Sequence, residues 1–463
     1  MFPSHSLRLQ SLQPQDLLDC LAPYRQAKRW LIAYSGGVDS HVLLHLMTQL
    51  YQLPGCSERE LPRLEAIHIN HQLQEGAQQW AKHCEQQAGL LGVPILVRCV
   101  DVVCLARESI EDKARQARYQ CIESLVQADD VVLMGHHLDD QVETLFLRLL
   151  RGSGSRGMAA MPHSRRLGYA CLFRPFLDID RSTIEHYAGQ HNLSWVEDPS
   201  NQQCDYDRNF LRLQILPLLA KRWPGYQKTL ARTALHNEES SILNTELAEL
   251  DFHSLGISSQ SESIALPLLA QLSVARKKNL LRHWLFSRGL PLPTAAQLQT
   301  VLDQVIGAKP DADPLVRWSM TSNQAEECSA VEVRRFRDEL YVMTRLPDLD
   351  GRAIYPWDPS QVLEIKGAGS LLAKPVLGAG LRACQHLSIQ FRQGGERCQP
   401  SGRAGSQTLK KLFQEYAVPT WLRDRVPIIY VEGVLAAVGD LWICDGFTAV
   451  GEESGLELTW RKP

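Results

Sequence analysis

The sequence predicts an α/β fold: a doubly wound parallel sheet, followed by a mainly helical domain and a small α+β C-terminal domain. Three observations predict it. Short β-branched runs alternate with amphipathic helical segments through the first half of the chain. At Trp223-Pro224-Gly225 that alternation gives way to long helical patterns, and after a proline-bearing stretch at 347–359 short strand patterns return. At 463 residues the chain exceeds the roughly 250–300 residues at which one core stops growing. The expected domains are therefore residues 1–222, 223–346 and 360–463.

Residues 29–34, 64–70, 94–100 and 131–137 read as buried strands, and 39–50, 77–91 and 110–126 as the helices between them. Strand and helix in alternation give a parallel sheet with helices on both faces. In such sheets ligands bind beyond the carboxyl ends of the strands, so Ser35 and Asp139 are expected on one rim. A glycine-rich loop at 151–157 leads to a last αβ passage ending at Trp195–Asp198. Residues 229–250 and 266–286 read as helices, and 331–343 alternates as strands do. Strand patterns at 387–392, 428–430 and 434–438 mark the last module, and no internal repeat or low-complexity tract is found.

Composition excludes several classes. Hydrophobic residues at 44% and charged ones at 22% are globular values, against disorder or a fibre. The longest apolar runs, 131–134 and 426–431, fall far short of the roughly 20 residues of a membrane span, so no membrane partner is expected. Residues 1–10 lack the layout of a secretory signal. Twelve cysteines form no C-x-x-C pair, which reads as reduced thiols of a cytoplasmic protein. With a net charge of -3, any hold on nucleic acid must be local. The stretch 392–425 offers it, carrying Arg392, Arg397, Arg403, Lys410, Lys411, Arg423 and Arg425 against Glu396, Glu415 and Asp424.

Ser35-Gly36-Gly37-Val38-Asp39-Ser40 follows a strand and opens a helix. Two glycines let backbone N–H groups approach an anion, and the helix N-terminus adds about half a positive charge. The bland alternative is a turn capped by Asp39 or Ser40. Three further blocks stand out: Glu111 with Ala114, Arg115, Arg118 and Tyr119; Gly135-His136-His137-Leu138-Asp139-Asp140 running on to Glu143; and Asp205 with Asp207-Arg208-Asn209-Phe210-Leu211-Arg212. Helical spacing puts Glu111, Arg115 and Arg118 on one face, and Asp140 with Glu143 on another. Each block alone also reads as a salt-bridged or capped helix.

The hexad resembles the SGGxDS signature of the PP-loop, or N-type ATP pyrophosphatase, superfamily, which lacks the lysine of a Walker loop. With the three blocks, the Arg151-Gly152-Ser153-Gly154 and Gly157-Met158 stretch, Trp195-Val196-Glu197-Asp198 and Asn201, the chain resembles the tRNA(Ile)-lysidine synthetase family. Lys410-Lys411-Leu412-Phe413, Val418-Pro419, Trp421-Leu422-Arg423 and Pro427 extend the resemblance to the family's long form, with two C-terminal domains. Residues 229–347 match least. The resemblance implies that a cytosine oxygen attacks the α-phosphate of ATP, pyrophosphate leaves, and L-lysine displaces AMP from C2 of the wobble cytidine in the CAU anticodon of an isoleucine tRNA. Codon reading thereby changes from AUG to AUA. It implies that Ser35, Gly36, Gly37, Val38, Asp39 and Ser40 bind ATP with Mg2+, whose ligands stay unassigned, and that Asp39 is essential. Asp140 and Glu143 would contact the lysine, and Arg115 or Arg118 the cytidine or its adenylate. Arg208, Asn209, Lys410, Lys411, Arg423 and Arg425 would contact substrate or tRNA. No obligate protein partner is implied, and a homodimer stays open.

Free lysine has a pKa near 10.4, so a carboxylate must hold its ammonium or take its proton. Asp140 and Glu143 fit both tasks, and spacing does not divide them. Three rivals remain. A 2-thiolating enzyme would bring paired cysteines, an amidotransferase a glutaminase domain, and a catalytically dead RNA-binding module would not retain the loop with Asp140 and Glu143.

Overall fold

The computed structural model describes residues 9 and 11–463, apart from 57–59, 73–75, 103–109, 200–203, 310–311, 320–329 and 385. Expectations resting on residues 1–8 and 10, on the Glu111 side chain and on Asn201 fall outside the described residues. The chain forms two compact units, residues 1–244 and 245–463.

The first unit is built on six strands: β1 (Arg29–Ala33), β2 (Arg63–Asn70), β3 (Ile95–Cys99), β4 (Asp130–Leu133), β5 (Ser164–Leu167) and β6 (Ala170–Phe173), in the order β3-β2-β1-β4-β6-β5. All neighbours run parallel except the β5–β6 hairpin. The sequence writes the central strands β1, β4 and β6 as apolar runs because both faces are covered. Trp30 and Ile32 point into one core with Val42, Leu43 and Leu46, while Leu31 points into the other with Ile67, Val132 and Ile122. The helices of this unit are α1 (Pro14–Cys20), α2 (Val38–Leu50), α3 (Ala77–Leu90), α4 (Ile110–Leu125), α5 (Leu138–Leu150), α6 (Ser155–Met158), α7 (Arg181–Gln190), α8 (Asp207–Phe210) and α9 (Leu216–Arg222), with α10 (Tyr226–Ser254) beginning here.

Strand order reverses at β1 and β4, which opens a crevice beyond their carboxyl ends. The strand expected at 131–137 stops at Leu133. His136 and His137 instead turn the chain into α5, whose first turn Asp140 closes by accepting the His137 N–H at 3.2 Å.

The second unit holds the antiparallel sheet β7 (Ser263–Ala265), β10 (Glu339–Thr344), β9 (Val331–Phe336) and β8 (Leu315–Trp318) against helices that bury Leu280, Leu281 and Trp284. The helix expected at 266–286 is two, α11 (Leu266–Ala270) and α12 (Val274–Ser287). Ser273 starts the second as its N-cap, accepting from the Arg276 N–H. Beyond residue 346 two antiparallel sheets, of five and four strands, share a core with the short helix Leu409–Glu415. No described helix is long and apolar enough to cross a membrane.

Candidate active site

The loop after β1 is shaped by what presses on it. Gly36 has φ +84°, and a side chain there would meet Trp80 and come within 2.7 Å of Cys84 Sγ on α3. Gly37 is the extended N-cap of α2. Ser40 Oγ accepts the Ser35 N–H at 3.1 Å, donates to Gly37 O at 3.1 Å and lies 3.0 Å from Ser35 Oγ. These hydroxyls brace the loop across its mouth. Behind it the Val196 N–H donates to Gly36 O at 3.0 Å, so the segment expected to end the αβ passage closes the loop. Gly135, two residues beyond β4, is equally constrained: a Cβ there would lie 2.9 Å from Asp39 O.

A cavity of about 400 Å³ opens at this rim, lined by Ser35, Asp39, Arg118, Asp140, Arg181 and Arg212 among others. Its floor is a charge cluster. His137, buried, has its imidazole 3.6 Å from Asp39, 3.6 Å from Asp139 and 3.4 Å from Asp140. Burial works against its charge, but Asp140 and the other two carboxylates outweigh it and raise its pKa to about 9. His137 is thus a fixed cation at neutral pH. Asp140 is held well below the usual carboxylate range: burial opposes this, and His137 and Arg208 prevail. Asp39 goes the other way, pushed up by burial against the pull of His137, and its buried Oδ1 has no hydrogen-bond partner. His136 is driven well below its ordinary value by burial and so is neutral; its buried Nδ1 also lacks a partner.

Glu143 lies one helical turn below Asp140 and is 0% exposed. Arg208 Nε donates to its Oε2 at 2.7 Å, Arg212 Nε to its Oε1 at 2.6 Å and Arg212 Nη2 to its Oε2 at 2.9 Å. Arg208 also reaches Asp140 Oδ1 at 3.4 Å. Arg208 comes from α8 and Arg212 from the π-helical turn Leu211–Ile215 that follows. Asn209, between them, is buried.

The two arginines of α4 part company. Arg118 lines the cavity and its Nε donates to His71 Nε2 at 3.2 Å. Arg115 lies over the Tyr119 ring, its guanidinium carbon 5.3 Å from the centroid. In the second unit Lys410 and Lys411 are exposed on the first turn of Leu409–Glu415. Arg423 Nε donates to Val418 O at 2.9 Å, and Arg425 Nη1 donates to Pro347 O at 2.6 Å and to Gly367 O. Sequence reasoning did not select Gly135, His137, Arg181 or Arg212 as site residues. His137 carried a signal, a histidine directly before two aspartates on a strand-to-helix turn. Among the described residues no group of three or more His, Cys, Asp and Glu side chains is arranged to hold a metal.

Residues 9–219 match the PP-loop domain family, 265–341 the TilS substrate binding domain and 387–460 the TilS substrate C-terminal domain. Full-length relatives include the tRNA(Ile)-lysidine synthases of Coxiella burnetii, 38% identical over 97% of this chain and 97% of the relative, and of Alkalilimnicola ehrlichii, 41% identical over 95% of each. The Pseudomonas aeruginosa synthase is 38% identical over 96% of each. With that identity sustained through both units and all three domain matches in order, the chain belongs to the tRNA(Ile)-lysidine synthase family.

Proposed function

We propose that this chain ligates L-lysine to C2 of the wobble cytidine in the CAU anticodon of an isoleucine tRNA, consuming ATP and releasing AMP and pyrophosphate. One observation carries the reading: a donor-rich loop for phosphates and a buried carboxylate cluster face the same cavity. The backbone N–H groups at Gly37–Ser40 and the α2 N-terminus stabilise charge that builds on the phosphates as cytosine O2 attacks. Arg118, which lines the same cavity, meets the cytidine or its adenylate. Asp140, ionised and lining the cavity, takes the lysine ammonium. Glu143 acts through Arg208 and Arg212, which it holds in place. Mg2+ would fit beside Asp39, whose buried Oδ1 accepts no hydrogen bond and has only the His137 imidazole at 3.6 Å, because this ion is commonly held by one or two carboxylates and substrate phosphates. There it would neutralise phosphate charge.

In this reading residues 1–222 carry the chemistry, 223–346 and 360–463 recognise the tRNA, and the setting is the cytoplasm. Within the basic segment Lys410 and Lys411 are exposed cations available to phosphates, whereas Arg423 and Arg425 spend donors on backbone carbonyls. The test is to incubate the protein with radiolabelled lysine, ATP and unmodified isoleucine tRNA. Label recovered in a nucleoside after digestion is expected. Label in no nucleoside, with ATP still cleaved to AMP, would move the chain to another PP-loop chemistry.

A further inference from the structure

We propose that Arg115, Arg165 and Arg174, gathered around the Tyr119 ring, form an oxyanion site that holds one phosphodiester of the RNA backbone next to the base being modified. The site deepens the proposed function and rests on it for the identity of the RNA. Arg165 lies over the Tyr119 ring with its guanidinium carbon 4.8 Å from the centroid, and Arg115 lies over it at 5.3 Å. Arg115 Nη2 also reaches the Tyr119 hydroxyl at 3.4 Å. Arg174 stands one residue beyond β6 and is 2% exposed; its Nη1 donates to Pro162 O at 2.8 Å and its buried Nε has no partner.

Among the described residues no carboxylate pairs with Arg115, Arg165 or Arg174. Three guanidiniums around one phenol repel each other, and a buried charge that no described carboxylate neutralises is costly. The phenol registers the imbalance. Burial would raise its pKa, yet Arg115, Arg174 and Arg165 together bring it below the ordinary value. A bound anion would satisfy all three cations, and guanidinium forks suit phosphate oxygens.

Placement selects the kind of anion. The Tyr119 hydroxyl donates to Met134 Sδ at 3.6 Å, and Met134 lines the cavity, so the cluster is one side chain from the reaction site. On its other side it reaches β5, the outermost strand, where Arg165 is half-buried. The β5–β6 hairpin carries Tyr169, 77% exposed, a surface on which an unpaired base can stack. A site that runs from the cavity to a sheet edge suits a polymer passing through. A free amino acid is already accommodated at Asp140.

The test uses the full chain and an unmodified anticodon stem-loop, with binding measured against salt in the absence of ATP and lysine. Arg165→Gln should weaken binding about tenfold, the scale of one charge-assisted contact, and flatten the salt slope by about 0.7. Arg165→Lys should recover most of that slope. Replacing loop phosphates one at a time by neutral methylphosphonate should find one position that weakens the wild type and has no further effect in Arg165→Gln. The Michaelis constant for lysine should not move. Unchanged affinity and salt slope would overturn the proposal. So would a raised lysine constant with unchanged RNA binding, which would assign the site to the amino acid's carboxylate. A wild-type chain that binds the stem-loop but makes no lysidine would sink the reaction while leaving this site to be judged on binding.

Discussion

Arg212 grips Glu143 at two points, Nε on Oε1 at 2.6 Å and Nη2 on Oε2 at 2.9 Å, and the carboxylate they share has no exposed surface. Removing one partner of such a pair leaves the other's charge buried alone, which costs about 3–5 kcal/mol. Glu143→Gln should therefore lower the denaturant midpoint of the first unit and release Arg212 into the cavity. Asp140→Asn should raise the lysine Michaelis constant more than tenfold. Equal midpoints for Glu143→Gln and wild type would show that the pair does not hold the fold.

Asp39→Ala should abolish ATP-dependent modification while tRNA binding persists, because in the proposed reading the loop handles phosphates and most RNA contacts lie away from it. Filter binding and single-turnover assays separate the two. Loss of both in a protein with a native circular dichroism spectrum would contradict that division.

Gly135→Ala is a one-carbon change with nowhere to go, since the new Cβ would lie 2.9 Å from Asp39 O and 3.2 Å from Ser40 N. Those atoms are backbone and cannot swing aside. The expected result is at least a tenfold loss of ATP affinity by calorimetry. Gly152→Ala serves as a control, because nothing lies within 4 Å of the atom it adds and strain at φ +69° is its sole penalty.

In the second unit the basic segment divides by environment. Lys410→Ala with Lys411→Ala should weaken full-length tRNA binding and flatten its salt dependence by up to about two units, leaving a minimal stem-loop unaffected. Arg425→Ala should instead lower the melting temperature, since its guanidinium ties Pro347 and Gly367 carbonyls together. An unchanged salt slope in the double lysine variant would remove these residues from the tRNA surface.

Acid should destabilise the first unit before its carboxylates titrate. Burial holds the His41 and His71 imidazoles down to about 4, whereas in the unfolded chain they titrate near 6.5. The unfolded state therefore takes up protons first, and stability present above about 6.5 is lost as pH falls toward 4. Each histidine contributes a slope of at most about 1.4 kcal/mol per pH unit. Urea melts between pH 7 and 4.5 should show His41→Leu with the shallower decline; parallel slopes would count against burial as the cause.

The parallel sheet was legible because its rule is simple. Strands buried on both faces are apolar through their centres, as in residues 30–33 of β1, and the hexad that follows has little structural freedom. That Asp39 and Asp140 would stand on one rim was legible too, because each belongs to the turn that follows a strand, and both line the cavity. What escaped was chemistry made by packing. Nothing local to Arg212 says that it meets a carboxylate 69 positions away, and the role of Gly135 depends on a backbone approach from Asp39. The break at Ser273 escaped because the apolar spacing continues across it, and only the cap reveals that the helix restarts.

Trp80 and Cys84 cover Gly36, and Gly135 backs Asp39, so the six residues of the loop are shaped by chain that follows them. A nascent chain that has emerged only as far as α2 holds every loop residue and none of its walls. The nucleotide pocket can mature only after β4 has threaded in beside β1, about a hundred residues of synthesis later by the strand register. Until then an emerging chain has no closed seat for ATP, and nucleotide could not act as a ligand that guides its early folding.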